Sequence, residues 1–167
     1  MTTAARLVLE DCRGALAAMQ NKLPPSEWRR NLASLLTLLR ATGHVLDKVD
    51  GARDEKLGTT IKQWWKKVNQ ERHLHPLFWE FIELERNSFI KQYETAARQT
   101  MVGYVGAVNY NIKTGEYTSD PYRPFEYQQQ MRIGHYAGQD LMDVANEAIV
   151  WWEKQLADID AQRASAA

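Results

Sequence analysis

The chain has 167 residues, 44% of them apolar and 25% charged, the size and composition of one globular domain with a core of its own; disorder along its whole length is excluded on that ground. Lysine plus arginine balances aspartate plus glutamate at 21 each, which argues against a dedicated binder of long nucleic acid and leaves room only for a local basic patch. Cys12 is the only cysteine, so an internal disulfide and a cysteine metal cluster are excluded, and its neighbours Leu9 and Leu16 mark an ordinary core thiol.

No basic leader followed by an apolar stretch opens the sequence, and no apolar run reaches the ~20 residues of a membrane span. The cytoplasm is the expected compartment. The first helix is predicted over residues 3–22, with Leu9, Cys12, Leu16 and Met19 on one side. Leu23, Pro24 and Pro25 should stop it, and Ser26 should cap the next. That second helix carries Trp28, Leu32, Leu35, Leu39, Thr42, Leu46 and Val49 at alternating spacings of four and three, the rhythm of helices crossing at a shallow angle. Gly43 beside this seam invites close approach of a neighbour, and Asp50-Gly51 reads as the terminating turn.

A third helix over residues 54–71 repeats the rhythm with Leu57, Ile61, Trp64 and Val68. His75-Pro76 breaks the chain before a fourth, predicted over residues 76–98. The last helix, residues 139–160, uses Leu141, Ala145, Ala148, Trp152, Leu156 and Ile159, and residues 161–167 read as a frayed tail. Between these, residues 100–136 lose helical periodicity and gather four of the nine glycines and six of the seven tyrosines. Within them Tyr110 to Tyr117 resembles a β-hairpin turning at Lys113, Thr114 and Gly115. Asp120-Pro121 and Arg123-Pro124 should hold the chain extended. The fold class expected is therefore all-α, an up-and-down bundle of about five helices with a small β-hairpin insertion before the last, in a single domain spanning residues 1–167.

The fourth helix carries the residues of chemical interest. At about 100° per residue, Trp79, Ile82, Phe89, Ile90 and Tyr93 share one face, and Arg86 falls at its centre. A guanidinium in that position requires a partner, because burying it unpaired costs several kcal/mol. Either an acid on another helix meets it, in which case the arginine is structural, or the stripe faces a second subunit or a ligand. Asn87 and Lys91, spaced i and i+4, form an adjacent polar row with Glu83 and Glu94.

Arg86-Asn87, three residues, Lys91, one residue and Tyr93 resemble the motif of HEPN domains, small helical bundles of prokaryotic toxin and defence systems. The family's pattern is Arg, often followed by Asn, then four to six residues and His; in toxins paired with a nucleotidyltransferase antitoxin it is Arg, four residues, His, one residue, Tyr. This chain departs at the histidine, where Lys91 stands. The resemblance implies a homodimer whose motif helices meet in one composite RNA-cleaving site, with Arg86 on phosphate charge and Asn87 orienting the site. Tyr93 matches the position that partner nucleotidyltransferases modify. A lysine, whose unperturbed pKa is ~10.4, is a fixed cation at neutral pH and a poor acid–base group, though still able to hold a phosphate. The departure points to binding without cleavage.

Elsewhere Lys62, Lys66, Lys67 and Arg72 surround Trp64 and Trp65, a mixture that suits phosphate and unstacked bases; the plainer account is a solvated lysine face over core tryptophans. His73 and His75 stand at the mouth of the fourth helix without a carboxylate at metal-binding spacing, and His44 reads as a surface residue beside Asp47. No phosphate loop, dinucleotide fingerprint or nucleophile elbow is present, so no cofactor or metal is expected. Three functions follow: a noncatalytic HEPN-like dimer binding RNA, a nucleotide or a protein partner through Arg86, Asn87, Lys91, Tyr93, Lys62 and Lys66; a metal-independent ribonuclease with Arg86, Asn87, Lys91 and Tyr93 as its catalytic candidates; or a structural adaptor in which the motif is accidental.

Overall fold

In the computed structural model, which describes residues 1–20, 23–103, 106, 108–119 and 126–165, the apolar residues at helical spacing become the buried faces of five helices. Helix α1 spans Thr3–Met19 and lies along α2, Pro25–Val45. Every seam residue of α2 from Trp28 to Thr42 is buried, and Leu36 joins them. Helix α3 spans Glu55–Gln70 and buries Leu57, Ile61, Trp64 and Val68. A helix of this length is marginal alone; with each buried apolar side chain worth roughly 1.5–3 kcal/mol, packing holds it in place. Helix α5, Leu141–Ser165, buries all six expected residues and touches α1, α2, α3 and α4. No helix among the described residues is long and apolar enough to cross a membrane.

Several boundaries differ from expectation, each for a local reason. Pro25 begins α2 and Pro24 precedes it, so the prolines start the helix and Ser26 lies inside it; the missing N–H of a first-turn proline has no intrahelical partner in any case. Asp50-Gly51 does not terminate α2. The chain runs on through a π-helical turn, Leu46–Asp50, and a final α turn, Gly51–Arg53. Asp54 then caps α3, accepting from Leu57 N at 3.0 Å. The expected frayed tail is helical as far as Ser165, because Arg163 donates twice to Asp54 Oδ2, at 3.0 and 2.8 Å.

Helix α4 begins after a short 3-10 turn, Arg72–Leu74. Its first part, Leu77–Glu83, is π-helical, and only Leu84–Gln92 is α-helical. It ends six residues before residue 98, where Tyr93 turns left-handed with φ 59°. The next residues pair as strands. β1 (Ala97–Val102) and β4 (Glu126–Met131) run antiparallel, with Gln99 opposite Gln129, and β2 (Val108–Asn111) pairs with β3 (Glu116–Ser119) as the expected hairpin. Gly115, at φ 70°, supplies the left-handed turn position. The molecule is thus mostly helical with two small sheets before α5, not purely all-α. The expected extended segment at Asp120-Pro121 and Arg123-Pro124 lies outside the described residues.

The base of the insertion is tied to the helices. Gln129, buried, accepts from Trp28 Nε1 at 2.7 Å and donates to the Met19 carbonyl at 2.8 Å. Both polar ends of a buried amide are therefore used, which is what makes it tolerable in a core. The hairpin residues Val108, Tyr110, Ile112 and Tyr117 are exposed.

Candidate binding site: a cationic aromatic cleft and the helix behind it

The buried face of α4 is Phe78, Phe81, Ile82, Glu85 and Phe89, which at about 100° per residue is a stripe one position round the helix from the one expected around Arg86 and sharing Ile82 and Phe89 with it. Glu85, and not Arg86, holds the centre of that face. Of the stripe expected around Arg86, Ile82 and Phe89 are buried, Trp79 is half-buried, and Ile90 and Tyr93 are exposed.

Glu85 is 6% exposed. Its Oε2 accepts from Ala96 N at 3.0 Å and Thr95 Oγ1 at 3.1 Å, fastening the start of β1 to α4. Burial pushes its carboxyl above the ordinary range, more than these two bonds lower it. In such an acid both states hold the proton well below the ordinary pKa. As pH rises towards the raised value, the unfolded state ionises first and stability falls. Replacing Glu85 by glutamine, which keeps an acceptor and cannot ionise, should therefore gain on the wild type as pH rises from the ordinary carboxylate range towards the raised value. Urea midpoints across that range check it; a constant difference would refute the assignment.

Arg86 is half-buried and donates from Nη1 to Asn87 Oδ1 at 2.9 Å, while its Nε is buried without an acceptor among the described residues. Asn87 Nδ2 donates to Glu83 Oε1 at 3.0 Å, and Glu83 Oε2 accepts from Arg40 Nε at 2.5 Å. Burial would raise the Glu83 pKa, but Asn87, Arg40 and Arg86 together hold it below the ordinary value. The motif helix thus reaches α2 through one relay: Arg86, Asn87, Glu83, Arg40. Lys91 and Tyr93 are exposed and outside the relay; Tyr93 packs its ring on Phe89 at 5.2 Å. Two of the four motif candidates are brought together, and two are not.

Arg40 leads to a cleft of about 280 Å³ between α2, α3, α4 and α5. Its floor is aromatic: Trp64, Trp65, Phe78 and Trp152, with ring centroids of neighbouring pairs 5.4–6.0 Å apart. Trp64 Nε1 is satisfied by Gln155 Oε1 at 2.7 Å. Trp152 Nε1 is buried with no acceptor among the described residues. The wall on α2 is made by Gly43, where a Cβ would come within 3.1 Å of the Trp152 ring, and this is the close approach its position predicts.

The rim is largely cationic. Arg40 lies 5.7 Å from the Phe78 ring centroid, Lys48 pairs with Asp47 at 2.7 Å, and Lys62 makes no ion pair among the described residues. Lys66 is exposed and does not line the cleft. Arg40, missed in the sequence, had a signal: Leu36, Arg40, Gly43 and Asp47 form one row on α2 at spacings of four, three and four.

His44 lines the same rim, and its expected neighbour Asp47 bonds Lys48 instead. His75 Nδ1 lies 3.4 Å from Trp151 Nε1, and burial lowers its pKa; none of the four histidines hydrogen-bonds a motif residue among the described residues. Cys12 is buried and its thiol is pushed up to about 12 by that burial, so it stays unionised. No family model, no curated protein and no solved structure matches this chain.

Proposed function

We propose that the chain is a noncatalytic, HEPN-like binding module that takes RNA or another phosphate-bearing ligand on the exposed side of α4 and works as a homodimer in the cytoplasm. The five helices are read as an up-and-down bundle, with the two sheets as an addition to it. The observation that carries the proposal is Lys91, exposed one turn after Asn87, where the motif would place its histidine. A fixed cation holds phosphate but does not shuttle protons. Exposed Leu84, Ile90 and Tyr93 beside it provide apolar surface for a second copy. A defence or toxin–antitoxin setting, or a protein partner in place of RNA, is the context the resemblance implies.

A second reading, the structural adaptor, is favoured by the relay itself, since Arg86 and Asn87 spend their hydrogen bonds within their own chain. Binding of a labelled single-stranded oligoribonucleotide, followed by anisotropy and by gel, separates the readings. The expected result is binding without turnover, weakened about tenfold or more by Lys91→Glu, a charge reversal at a phosphate contact, from a protein that is dimeric by light scattering. Cleavage abolished by Arg86→Ala in a folded protein would make the chain a metal-independent ribonuclease. Absence of binding, with Arg86→Ala lowering only the melting temperature, would establish the adaptor.

A further inference from the structure

We propose that the cleft between α2, α3, α4 and α5 is a small-molecule site for a planar aromatic anion. This goes beyond the reading of α4, because none of the motif residues lines the cleft. Four features converge. Trp65, which is 37% exposed and braced edge-to-face by buried Phe78 at 5.4 Å, presents aromatic surface for a flat ring to pack on. Trp152, fully buried on the floor, carries an indole N–H with no acceptor among the described residues. A buried donor left unpaired costs about 1–3 kcal/mol, so an oxygen or ring nitrogen of a ligand gains what the fold leaves unmade.

The third feature is charge. Lys62, Lys48 and Arg40 line the cleft with one carboxylate, Asp47, which pairs with Lys48, while Glu83 stands behind Arg40, so that the rim is positive by one charge and Lys62 makes no ion pair among the described residues. Arg40 commits only Nε to Glu83, and among the described residues its two terminal nitrogens have no hydrogen-bond partner. This rim discriminates between the two ligand types that aromatic pockets favour. A cationic ligand would gain a cation–π contact worth ~0.5–2 kcal/mol but would face Lys62 and the net positive charge of the rim; an anion is attracted by that charge and by the terminal nitrogens of Arg40. The fourth feature is support. The Glu83 carboxylate fixes the Arg40 guanidinium from behind, and Asn87 and Arg86 fix Glu83. Arg86 and Asn87 are thus positioning residues for the cleft whether or not they touch a ligand of their own.

Nucleotides and aromatic carboxylates both present this chemistry, and adenosine monophosphate and indole-3-carboxylate are the probes that distinguish them. Adenosine, inorganic phosphate and choline serve as controls for a ring without charge, charge without a ring, and a cation. Tryptophan fluorescence reports binding, since three of the six tryptophans line the cleft, and the Trp152 indole proton, assigned by NMR with Trp152→Phe, reports its acceptor. The expected result is saturable binding of one or both anionic probes, a shifted Trp152 indole proton, and affinity lowered about tenfold or more by Lys62→Glu, with unchanged circular dichroism. Lys62→Gln should fall between that variant and the wild type.

Adenosine binding as tightly as its monophosphate, phosphate alone binding as tightly, choline binding better than the anions, or no probe binding at millimolar concentration would each overturn the site. RNA binding on the same preparations is a separate readout. Its absence with the cleft occupied refutes the reading of α4 alone, and its presence with the cleft inert refutes the cleft alone.

Discussion

Replacing Asp50 by alanine should destabilise the fold by about 2–4 kcal/mol, the largest effect expected of any single polar side chain here. Asp50 is 2% exposed and sits in the π turn that extends α2. Its two carboxylate oxygens accept from Ala4 N and Ala5 N, each at 2.9 Å. These are first-turn amides of α1, donors that have no partner within their own helix. The acid therefore caps a helix 45 residues away in sequence, and its negative charge stands at the positive end of the helix dipole.

Truncation removes both bonds and leaves two donors facing a methyl group, at about 1–3 kcal/mol each before relaxation. The Asp160 cap on Thr2, at 2.9 Å from the backbone and 2.8 Å from the hydroxyl, remains and limits fraying. Asp50→Asn keeps one acceptor oxygen and should cost about half as much. Urea unfolding of the three proteins measures this directly. A change within about 0.5 kcal/mol for Asp50→Ala, the range of ordinary surface substitutions, would show that water replaces the acid and that the cap is incidental.

That long-range cap illustrates which parts of the molecule were legible. The seam of α2, the four core residues of α3 and the six of α5 follow from period alone, because a buried stripe at helical spacing has one way to face a core. Gly43 was legible as a site of close approach, and Trp152 meets it. The hairpin followed from Gly115 and its flanking tyrosines. The pairing of β1 with β4 carried no such mark. ARQTMV and EYQQQM alternate neither cleanly nor strongly, and besides buried Ala97 and Met131 they are joined to the core by an amide, Gln129, whose partners Trp28 and Met19 lie 101 and 110 residues away.

The phase of α4 differs from expectation for another reason. At a period of 3.6 two overlapping stripes share Ile82 and Phe89, one centred on Arg86 with Trp79, Ile90 and Tyr93 and one centred on Glu85 with Phe78 and Phe81; the second is the buried one, and spacing alone does not choose between them. The candidate site divides along the same line. Arg86 and Asn87 are adjacent in sequence and adjacent in space. The cleft takes its residues from four helices and becomes visible only when those helices are placed. Lys62 and Trp64 belong to a recognisable mixture of cations and rings; Arg40, on a row with Gly43, and Trp152, a core residue of α5, meet that mixture only when the helices are placed.

Placement of those four helices rests partly on one backbone contact, and Gly58→Ala should break it. Gly58 lies in the first turn of α3, and a Cβ built on it would stand 2.7 Å from the carbonyl oxygen of Gly51. Gly51 is itself crowded, with a Cβ position 3.3 Å from Ile61 and 3.4 Å from Gly58. The two glycines let the end of α2 and the start of α3 touch through their backbones. Two effects oppose each other in the substitution. Alanine is about 1 kcal/mol better than glycine in a helix interior. The clash is with backbone rather than with the end of a flexible side chain, so relief requires α3 to move; overpacking of this kind costs about 1–3 kcal/mol, occasionally more.

The clash should therefore win, with a net loss of about 1–2 kcal/mol in urea unfolding. The movement has a second consequence. Lys62, Trp64 and Trp65 form one wall of the cleft and lie one to two turns beyond Gly58 on the same helix, while His44 and Lys48 form the facing wall on the continuous helical run that ends beside Gly51. Displacing α3 from that run separates the walls, so binding of the anionic aromatic probes should weaken in Gly58→Ala even at temperatures where the variant is fully folded. Gly14→Ala on α1, where nothing lies within 4 Å of the added carbon, supplies the contrast: it should stabilise by about 0.5–1 kcal/mol through helix propensity and leave the cleft unchanged. Equal behaviour of the two variants would mean that α3 is held at its working distance by its side chains, with the glycine contact a by-product of their packing.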